Sequence, residues 1–416
     1  MICCKRSSTV YSIRFVQIQE TWQEHIDCFS PFIKGNDNKN GKYGIIKYMK
    51  RYTVNTDPFF IKKVVLILGA GSTFAEVEKQ SKIHQPPLDK KFFSQAKSIG
   101  YKDVYKIISY IKDNYHSDVI KTDDDSLEKI MTILYSDIFD PNLQSDALKV
   151  FRDLIFLFNK ILAETTNKIE PNYQRILYRV ILKYLKKETN PENITIITYN
   201  QDLHVEKIIE LLSKSQKWKE YEIFQFPYCY NIDVEKQFIT HPSKSKKDLF
   251  KIFKTKKQKK GISILKLHGS LNWYSAHNSS NLQPKNMFNP TRNIRITRRK
   301  TISPKMMLEG RRRRLYTIPV VVPPVNHKSS IIHNKIKKIW NLAQDNIKAA
   351  NEIIIYGYSC PEMDFESSNL IKRSLLDNSK DKKISIIDPD SSALKRYVDL
   401  FKPEKIYYYK NVKHFL

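Results

Sequence analysis

The chain has 416 residues, 41% of them hydrophobic, so it is long enough to bury one large domain or two modest ones. Its formal net charge of +29 favours anionic ligands, although the lysines are spread over the whole length, as a bias in gene base composition would also produce. No apolar run approaches the length of a membrane span, and none of the five cysteines forms a C-x-x-C pair. We therefore expect a cytoplasmic protein with no membrane segment and no structural metal.

Residues 1–60 show no clear pattern, and we treat them as an N-terminal extension. The apolar run at residues 64–68 then ends abruptly in two glycines, which predicts a strand buried on both faces and a tight turn after it. Ligands bind at the carboxyl ends of strands in open α/β sheets, so this turn is a candidate phosphate site. Because the third glycine of G-x-G-x-x-G is absent, a plain strand-to-helix turn is an equal alternative.

The next part of the chain has apolar residues at helical spacing and no intervening strand pattern. Helices are predicted over 127–138, 147–164 and 173–187. We expect this insertion, around residues 74–190, to form a smaller helical lobe.

Four further apolar runs have the length of buried strands, at 194–198, 262–267, 352–356 and 383–387. Helical patterns at 205–212, 332–350 and 365–376 alternate with them. Strands alternating with helices predict an α/β fold of the Rossmann type, with a doubly wound parallel sheet in a single domain over residues 61–416.

The amino-acid composition changes between the second of these runs, at 262–267, and the third, at 352–356. Asn, Ser, Arg and Lys predominate over residues 274–318, which we interpret as a basic, solvated loop. The alternative is a contact with nucleic acid or another anion through the four arginines at 311–314. Prolines remove backbone donors from residues 318–325, so we predict an extended segment there that is not a central strand.

Each predicted strand ends in small or polar residues, and the carboxyl ends of parallel strands share one edge of the sheet. The pattern of all five endings is far more specific than any one of them. In chain order they are Gly69-Ala70-Gly71-Ser72-Thr73, Thr198-Tyr199-Asn200-Gln201-Asp202, His268-Gly269-Ser270, Gly357-Tyr358-Ser359 and Asp388-Pro389-Asp390.

This order of motifs resembles the sirtuin superfamily, and within it the zinc-free sirtuin-like domains of bacterial anti-phage defence systems, which degrade NAD⁺. The likeness extends over roughly residues 60–395. It implies that Asn200, Asp202 and His268 are catalytic. It further implies that NAD⁺, as the substrate, is bound by Gly69, Ala70, Gly71, Ser72, Thr73, Thr198, Gly269, Gly357, Ser359 and Asp388. In this resemblance Gly357 and Ser359 lie on the phosphate and adenosine-ribose side, and Asp388 reaches the adenosine.

The chemistry of these residue types fits cleavage of the nicotinamide–ribose bond, which develops positive charge on the ribose. Asn200 would hold the ribose and a water, and Asp202 would either favour the developing cation or orient a neighbour. His268 is the residue type whose ordinary pKa suits a base near neutral pH. With water as the acceptor, the enzyme would be an NAD⁺ hydrolase that releases nicotinamide and ADP-ribose.

The resemblance also implies a regulated defence effector, because unregulated NAD⁺ depletion would kill the cell. We expect a homo-oligomer and an activating partner, either protein or nucleic acid. The sirtuin deacylases carry a four-cysteine zinc module after the His-Gly pair, and residues 271–280 contain no cysteine, which puts deacylation in doubt.

Other interpretations stay open. The protein could be a sensor of NAD⁺ or ADP-ribose that acts on nucleic acid without turnover, or a deacylase or ADP-ribosyltransferase. Asn200 and Asp202 could cap the helix that starts near Leu203, and Asp388 could only form a turn. Cys360 is expected to be a small buried residue. The histidines His204, His277 and His327 are expected to be structural or exposed.

Overall fold

A computed structural model describes most of the chain after residue 61. The described residues are 62–77, 85–115, 126–187, 190–215, 223–224, 226, 228–232, 239–240, 261–278, 294–297, 306–309, 313–326, 328, 332, 334–361, 364–375, 382–401 and 406–416. The predicted N-terminal extension lies outside them, as do His327 and the larger part of the predicted basic loop.

The elements are numbered here in chain order. The strands are β1 (Val64–Leu68), β2 (Ile194–Thr198), β3 (Ile239–Thr240), β4 (Ser263–Lys266), β5 (Gly269–Asn278), β6 (Arg295–Thr297), β7 (Met306–Glu309), β8 (Arg313–Val321), β9 (Glu352–Tyr356), β10 (Lys383–Ile387) and β11 (Ile406–Tyr409). The helices are α1 (Ala70–Val77), α2 (Phe92–Ile99), α3 (Asp103–Asn114), α4 (Leu127–Asp137), α5 (Gln144–Asn167), α6 (Ile176–Lys187), α7 (His204–Ser213), α8 (Asn334–Ala349), α9 (Phe365–Leu375), α10 (Ser391–Phe401) and α11 (Val412–Phe415).

A six-stranded sheet in the order β11-β10-β9-β1-β2-β4 forms the centre of the fold, and all its neighbouring strands are parallel. Every residue of β1, β2 and β9 is buried, as expected for apolar central strands of a parallel sheet, and the buried positions include Thr195, Thr198 and Glu352. The predicted α/β fold with a doubly wound parallel sheet is confirmed. Successive strands run outward from β1 on one side and from β9 on the other, so the topological switch point lies between these two strands.

Helices α2 to α6 lie between β1 and β2 in the chain, within the predicted helical insertion. Helix α5 packs on α3 and α4, and α6 packs on α1 and α7. The buried carboxylate of Glu76 in α1 accepts the backbone N–H of Leu177, at 2.7 Å, in the first turn of α6. This bond satisfies a helix-end donor and ties the insertion to the sheet. In the part of the chain that the structure covers, no helix is both long and apolar enough to cross a membrane.

A second, five-stranded sheet in the order β3-β6-β5-β8-β7 was not predicted. Its strands occupy parts of residues 274–318, so the interpretation of that whole range as a loop is wrong. The expectation for residues 318–325 is also wrong, since β8 includes residues 318–321 and lies between β5 and β7. Pro319 pairs with Tyr274 at the edge of a register shift, so its missing N–H falls where the ladder is already irregular.

Candidate active site

The turns after β1 and β9 interlock at the switch point. The N–H of Gly69 donates to the carbonyl of Tyr356 at 3.1 Å, and that of Gly71 donates to the carbonyl of Gly357 at 2.9 Å. A Cβ on Gly69 would lie 2.5 Å from the Gly357 oxygen, and Gly357 itself has a φ of +61°. Glycine is therefore required here by contact between two backbones, a role that the sequence did not reveal. Ala70, the first residue of α1, is exposed beside them.

Asn200 connects the end of β2 to the start of α1. Its backbone N–H donates to Thr198 Oγ1 at 3.0 Å. Its Nδ2 lies 2.9 Å from the Gly69 carbonyl, 3.0 Å from Thr73 Oγ1 and 3.2 Å from Ser72 Oγ. The structure thus brings together one predicted catalytic residue and four of the predicted binding residues, and it fixes the orientation of the buried carboxamide.

The carboxylate of Asp202 is held from two directions. Thr73 Oγ1 donates to its Oδ2 at 2.9 Å, and the backbone N–H of His204 donates to its Oδ1 at 2.8 Å. The second bond satisfies a donor at the start of α7, in agreement with the capping interpretation. Asp202 therefore joins the starts of α1 and α7 around Asn200, and its predicted catalytic role stays a prediction.

A buried lysine beneath Asp202 was missed in the sequence. Lys266, the last residue of β4, is fully buried, and its ammonium donates to the backbone carbonyl of Asp202 and to Glu206 Oε1, the latter at 2.9 Å. Glu206 also accepts from the hydroxyl of Tyr230 at 2.9 Å. A lysine inside an otherwise apolar strand is a signal for such a paired charge.

His268 lies at the corner where the chain leaves the parallel sheet for the second one. Gly269 makes this corner with a φ of +76°, and a Cβ on it would lie 2.1 Å from the carbonyl oxygen of Val320. The His268 carbonyl accepts from the N–H of Val322 at 2.9 Å. Thr198 pairs with Lys266 in the parallel ladder, so Asn200 and His268 occupy equivalent positions beyond neighbouring strands.

The imidazole of His268 has an aromatic surrounding. Its ring centroid lies 5.3 Å from that of Tyr199 and 6.3 Å from that of Trp340, whose indole N–H donates to the carbonyl of Leu267 at 2.9 Å. Burial, assisted by the positive charge of Lys328, lowers the pKa of His268 to about 4. Its buried Nε2 has no hydrogen-bond partner among the described residues. His268 is therefore neutral near pH 7 and able to accept a proton, but its lowered pKa makes it a weaker base than the ordinary imidazole expected from the sequence.

The residues predicted to hold the adenosine side of NAD⁺ lie across the switch point, after β9 and β10. The backbone carbonyl of Ser359 accepts from Arg396 Nε at 2.7 Å. Asp388 is buried, which raises the pKa of its carboxyl group, and its Oδ1 accepts the N–H of Asp390 at 2.9 Å. Asp388 thus forms the turn that was the alternative interpretation, and its predicted contact with adenosine stays a prediction.

The remaining candidates have structural surroundings. Burial raises the pKa of the Cys360 thiol to about 12, so this residue is no thiolate nucleophile near neutral pH. His204 is buried, with its Nε2 3.6 Å from Glu76 Oε1, and His277 lies in β5. Within the described ranges, no three His, Cys, Asp or Glu side chains lie close enough together to hold a metal ion.

No family model matches the chain, and no curated protein matches it. Among solved structures it is similar to a Sir2 homologue in complex with NAD, with 13% identity over 85% of each chain and a TM-score of 0.38. A Sir2 homologue mutant in complex with 2′-O-acetyl ADP ribose is 13% identical over 85% of this chain and 91% of that one, with a TM-score of 0.38. A Sir2 protein bound to a propionylated peptide is 12% identical over 85% and 90%, with a TM-score of 0.36. These values are too low to bear on the chemistry, which rests on the contacts above.

Proposed function

We propose that the protein is an NAD⁺ glycohydrolase, which cleaves the nicotinamide–ribose bond with water and releases nicotinamide and ADP-ribose. One observation carries the proposal. A fixed carboxamide, Asn200, and a neutral imidazole, His268, lie at equivalent positions on neighbouring strands, beside the crevice at the switch point of a parallel sheet. Such a crevice is where dinucleotides bind in this class of fold.

In the proposed reaction the bond from the ribose to the pyridinium nitrogen breaks, and its electron pair leaves with nicotinamide as a neutral molecule. The anomeric carbon gains positive charge and forms a bond to a water oxygen. Because three acceptors hold the nitrogen of Asn200, its amide oxygen has a fixed direction in which to bind the ribose or the water. His268 takes the proton that the water loses.

Asp202 and Thr73 support this geometry without contacting the reacting atoms. Their hydrogen bond, at 2.9 Å, fixes the start of α1 relative to the residues that follow β2. The interlocked turns at Gly69 and Gly357 fix the start of α1 relative to β9. The two sides of the crevice are therefore joined by short buried contacts, and a substrate across it would meet a preformed site.

The proposal is tested by incubating the purified chain with NAD⁺ in H₂¹⁸O and identifying the products by mass spectrometry. Equal amounts of nicotinamide and ADP-ribose, with one ¹⁸O in each ADP-ribose, are expected. Nicotinamide release that requires an acyl-lysine peptide would instead identify a deacylase. Binding of NAD⁺ without turnover would identify a sensor.

The proposed biological role, an anti-phage effector that depletes NAD⁺, is supported only by the resemblance of the motifs. It includes a homo-oligomer and an activating partner, and it places catalysis in residues 61–416. In phage-infected bacteria that express the chain, cellular NAD⁺ is expected to fall, and with Asn200→Ala it is expected to stay constant. Equal NAD⁺ levels in both strains during infection would contradict this role.

A further inference from the structure

A buried ion-pair cluster is connected to His268 through two aromatic rings, and the proposed reaction does not use it. Lys328 is only 2% exposed, and its ammonium lies 2.9 Å from Asp364 Oδ1 and 3.4 Å from Glu128 Oε1. Lys328 follows β8, Asp364 precedes α9, and Glu128 belongs to α4 of the helical insertion. Three distant parts of the chain thus meet at one buried ammonium group, an arrangement that is expensive to build unless each charge is paired.

Aromatic rings connect this cluster to the imidazole. The hydroxyl of Tyr358 donates to Asp364 Oδ2 at 2.9 Å, and its ring stacks on that of Tyr199 with centroids 4.2 Å apart. Tyr199 in turn contacts His268. Burial raises the pKa of both tyrosines well above the ordinary value, so neither contributes a charge. Helix α8 also contacts the imidazole, through the uncharged Trp340.

Among the described residues, Lys328 and Asp364 are the charged groups that shift the pKa of His268, in addition to burial. The ammonium opposes protonation of the imidazole, and the carboxylate favours it. Such effects are strong in this surrounding because buried charges are poorly screened by solvent.

We propose that Lys328 and Asp364 are positioning residues of the active site, which act as a pair to keep His268 an unprotonated base. The proposal rests on the NAD⁺ glycohydrolase function, since it deepens the role of His268 in that reaction. Burial already disfavours the protonated imidazole, Lys328 disfavours it further, and Asp364 holds Lys328 in place while limiting its effect.

Two variants are expected to shift the pKa of His268 in opposite directions, which distinguishes this role from a purely structural one. Replacing Lys328 by Met removes the positive charge, so the pKa of His268 is expected to rise by about one unit or more. Replacing Asp364 by Asn removes the negative charge and leaves Lys328 in place, so the same pKa is expected to fall. If the variants only lost packing, activity would fall in both, but the pKa of His268 would not shift in opposite directions.

The test is an NMR titration of ¹³C- and ¹⁵N-labelled histidine in the full chain, with the His268 signal assigned by its loss in His268→Gln. The acid limb of the nicotinamide-release profile is measured on the same variants. Both midpoints should rise in Lys328→Met, fall in Asp364→Asn and return towards the wild-type value in Lys328→Arg. Lys62→Met is the matched control. The ammonium of Lys62 lies 2.5 Å from Oε2 of the buried Glu352, which begins β9 at the amino ends of the strands, so this variant breaks an ion pair away from His268. Its midpoints should not move.

Unchanged midpoints, or shifts in one direction for both charge variants, would overturn the proposal. If Lys328→Met fails to fold, Asp364→Asn decides alone: a lower protonated fraction of His268 at the lowest pH of the folded state supports the proposal, and an equal fraction refutes it. The NMR titration needs no turnover. A chain that shifts as expected but releases no nicotinamide would thus reject the glycohydrolase function and keep the effect of the ion pair.

Discussion

The hydroxyl of Thr73 positions two of the predicted site residues. The hydroxyl donates to Asp202 Oδ2 and accepts from Asn200 Nδ2, so it connects both residues to α1. All three side chains are buried, and in such a place an unpaired polar group is costly.

Thr73→Val is expected to lower the free energy of unfolding by about 1–3 kcal/mol, because the Asp202 oxygen loses its donor while the volume is kept. Nicotinamide release should fall with it, since Asn200 also loses an acceptor. Thr73→Ser keeps the hydroxyl and is the control. Urea denaturation and the release assay measure both effects, and a valine variant as stable as wild type would contradict the assigned bonds.

The pH dependence of the reaction follows from His268. Since its pKa in the folded protein is lowered to about 4, the imidazole stays unprotonated down to well below neutral pH. Nicotinamide release should be constant between about pH 6 and 8 and should fall as the pH decreases towards the lowered pKa. Initial rates over this range are the measurement. An acid limb near the ordinary histidine value would show that the imidazole is not shielded as described.

Sequence reasoning proposed Asn200, Asp202 and His268 as site residues because each follows a buried strand, and parallel strands end at one edge. It could not assign the buried lysines. Lys328 is paired with Glu128 and Asp364, and no local pattern shows which distant carboxylates will meet an ammonium group. The packing role of Gly69 was hidden for the same reason, since its partner Gly357 lies on another strand.

At the scale of elements, the contact between the turns after β1 and β9 joins the two central strands at the switch point. Gly357 has a φ of +61°, and a Cβ there would lie 2.1 Å from the backbone nitrogen of Ser72. Gly100, which ends α2, has a φ of +87° but no atom within 4 Å of the same position. Both glycines therefore have a left-handed backbone conformation, but only at Gly357 would a Cβ also clash with other atoms.

Gly357→Ala is expected to lower the free energy of unfolding by about 3 kcal/mol or more, because it combines backbone strain with a clash against backbone. Gly100→Ala should lower it by only about 1 kcal/mol, from the left-handed conformation alone. Chemical denaturation of both variants measures the difference. Equal losses would contradict the close contact of the two turns.

Helices and buried strands with long apolar patterns were predictable, whereas irregular or exposed elements were not. Strand β11 was missed because its residues are only partly buried and carry three consecutive tyrosines rather than an aliphatic run. The strands of the second sheet were missed because the range around them is rich in Asn, Ser, Arg and Lys, and because pairing with distant strands outweighs local propensity there.

At the scale of the whole molecule, the net charge of +29 makes weak binding of any anion expected. Specific binding of NAD⁺ must exceed that background. In His268→Ala, which should not consume the ligand, NAD⁺ at a hundredfold of its Kd should stabilise the fold by about 2.7 kcal/mol. The measurement is a thermal-unfolding scan, with inorganic phosphate at equal ionic strength as the control. An equal shift with phosphate would contradict a dinucleotide site.

The most direct measurement is nicotinamide release from NAD⁺ by the wild-type chain and by Asn200→Ala and His268→Ala. Asn159→Ala is the matched control, because it removes an equally buried asparagine in α5 of the helical insertion. Wild type and Asn159→Ala are expected to release nicotinamide at similar rates, and each site variant should be slower by about 100-fold or more. Release that continues at the wild-type rate in both site variants would show that catalysis does not take place at this edge of the sheet.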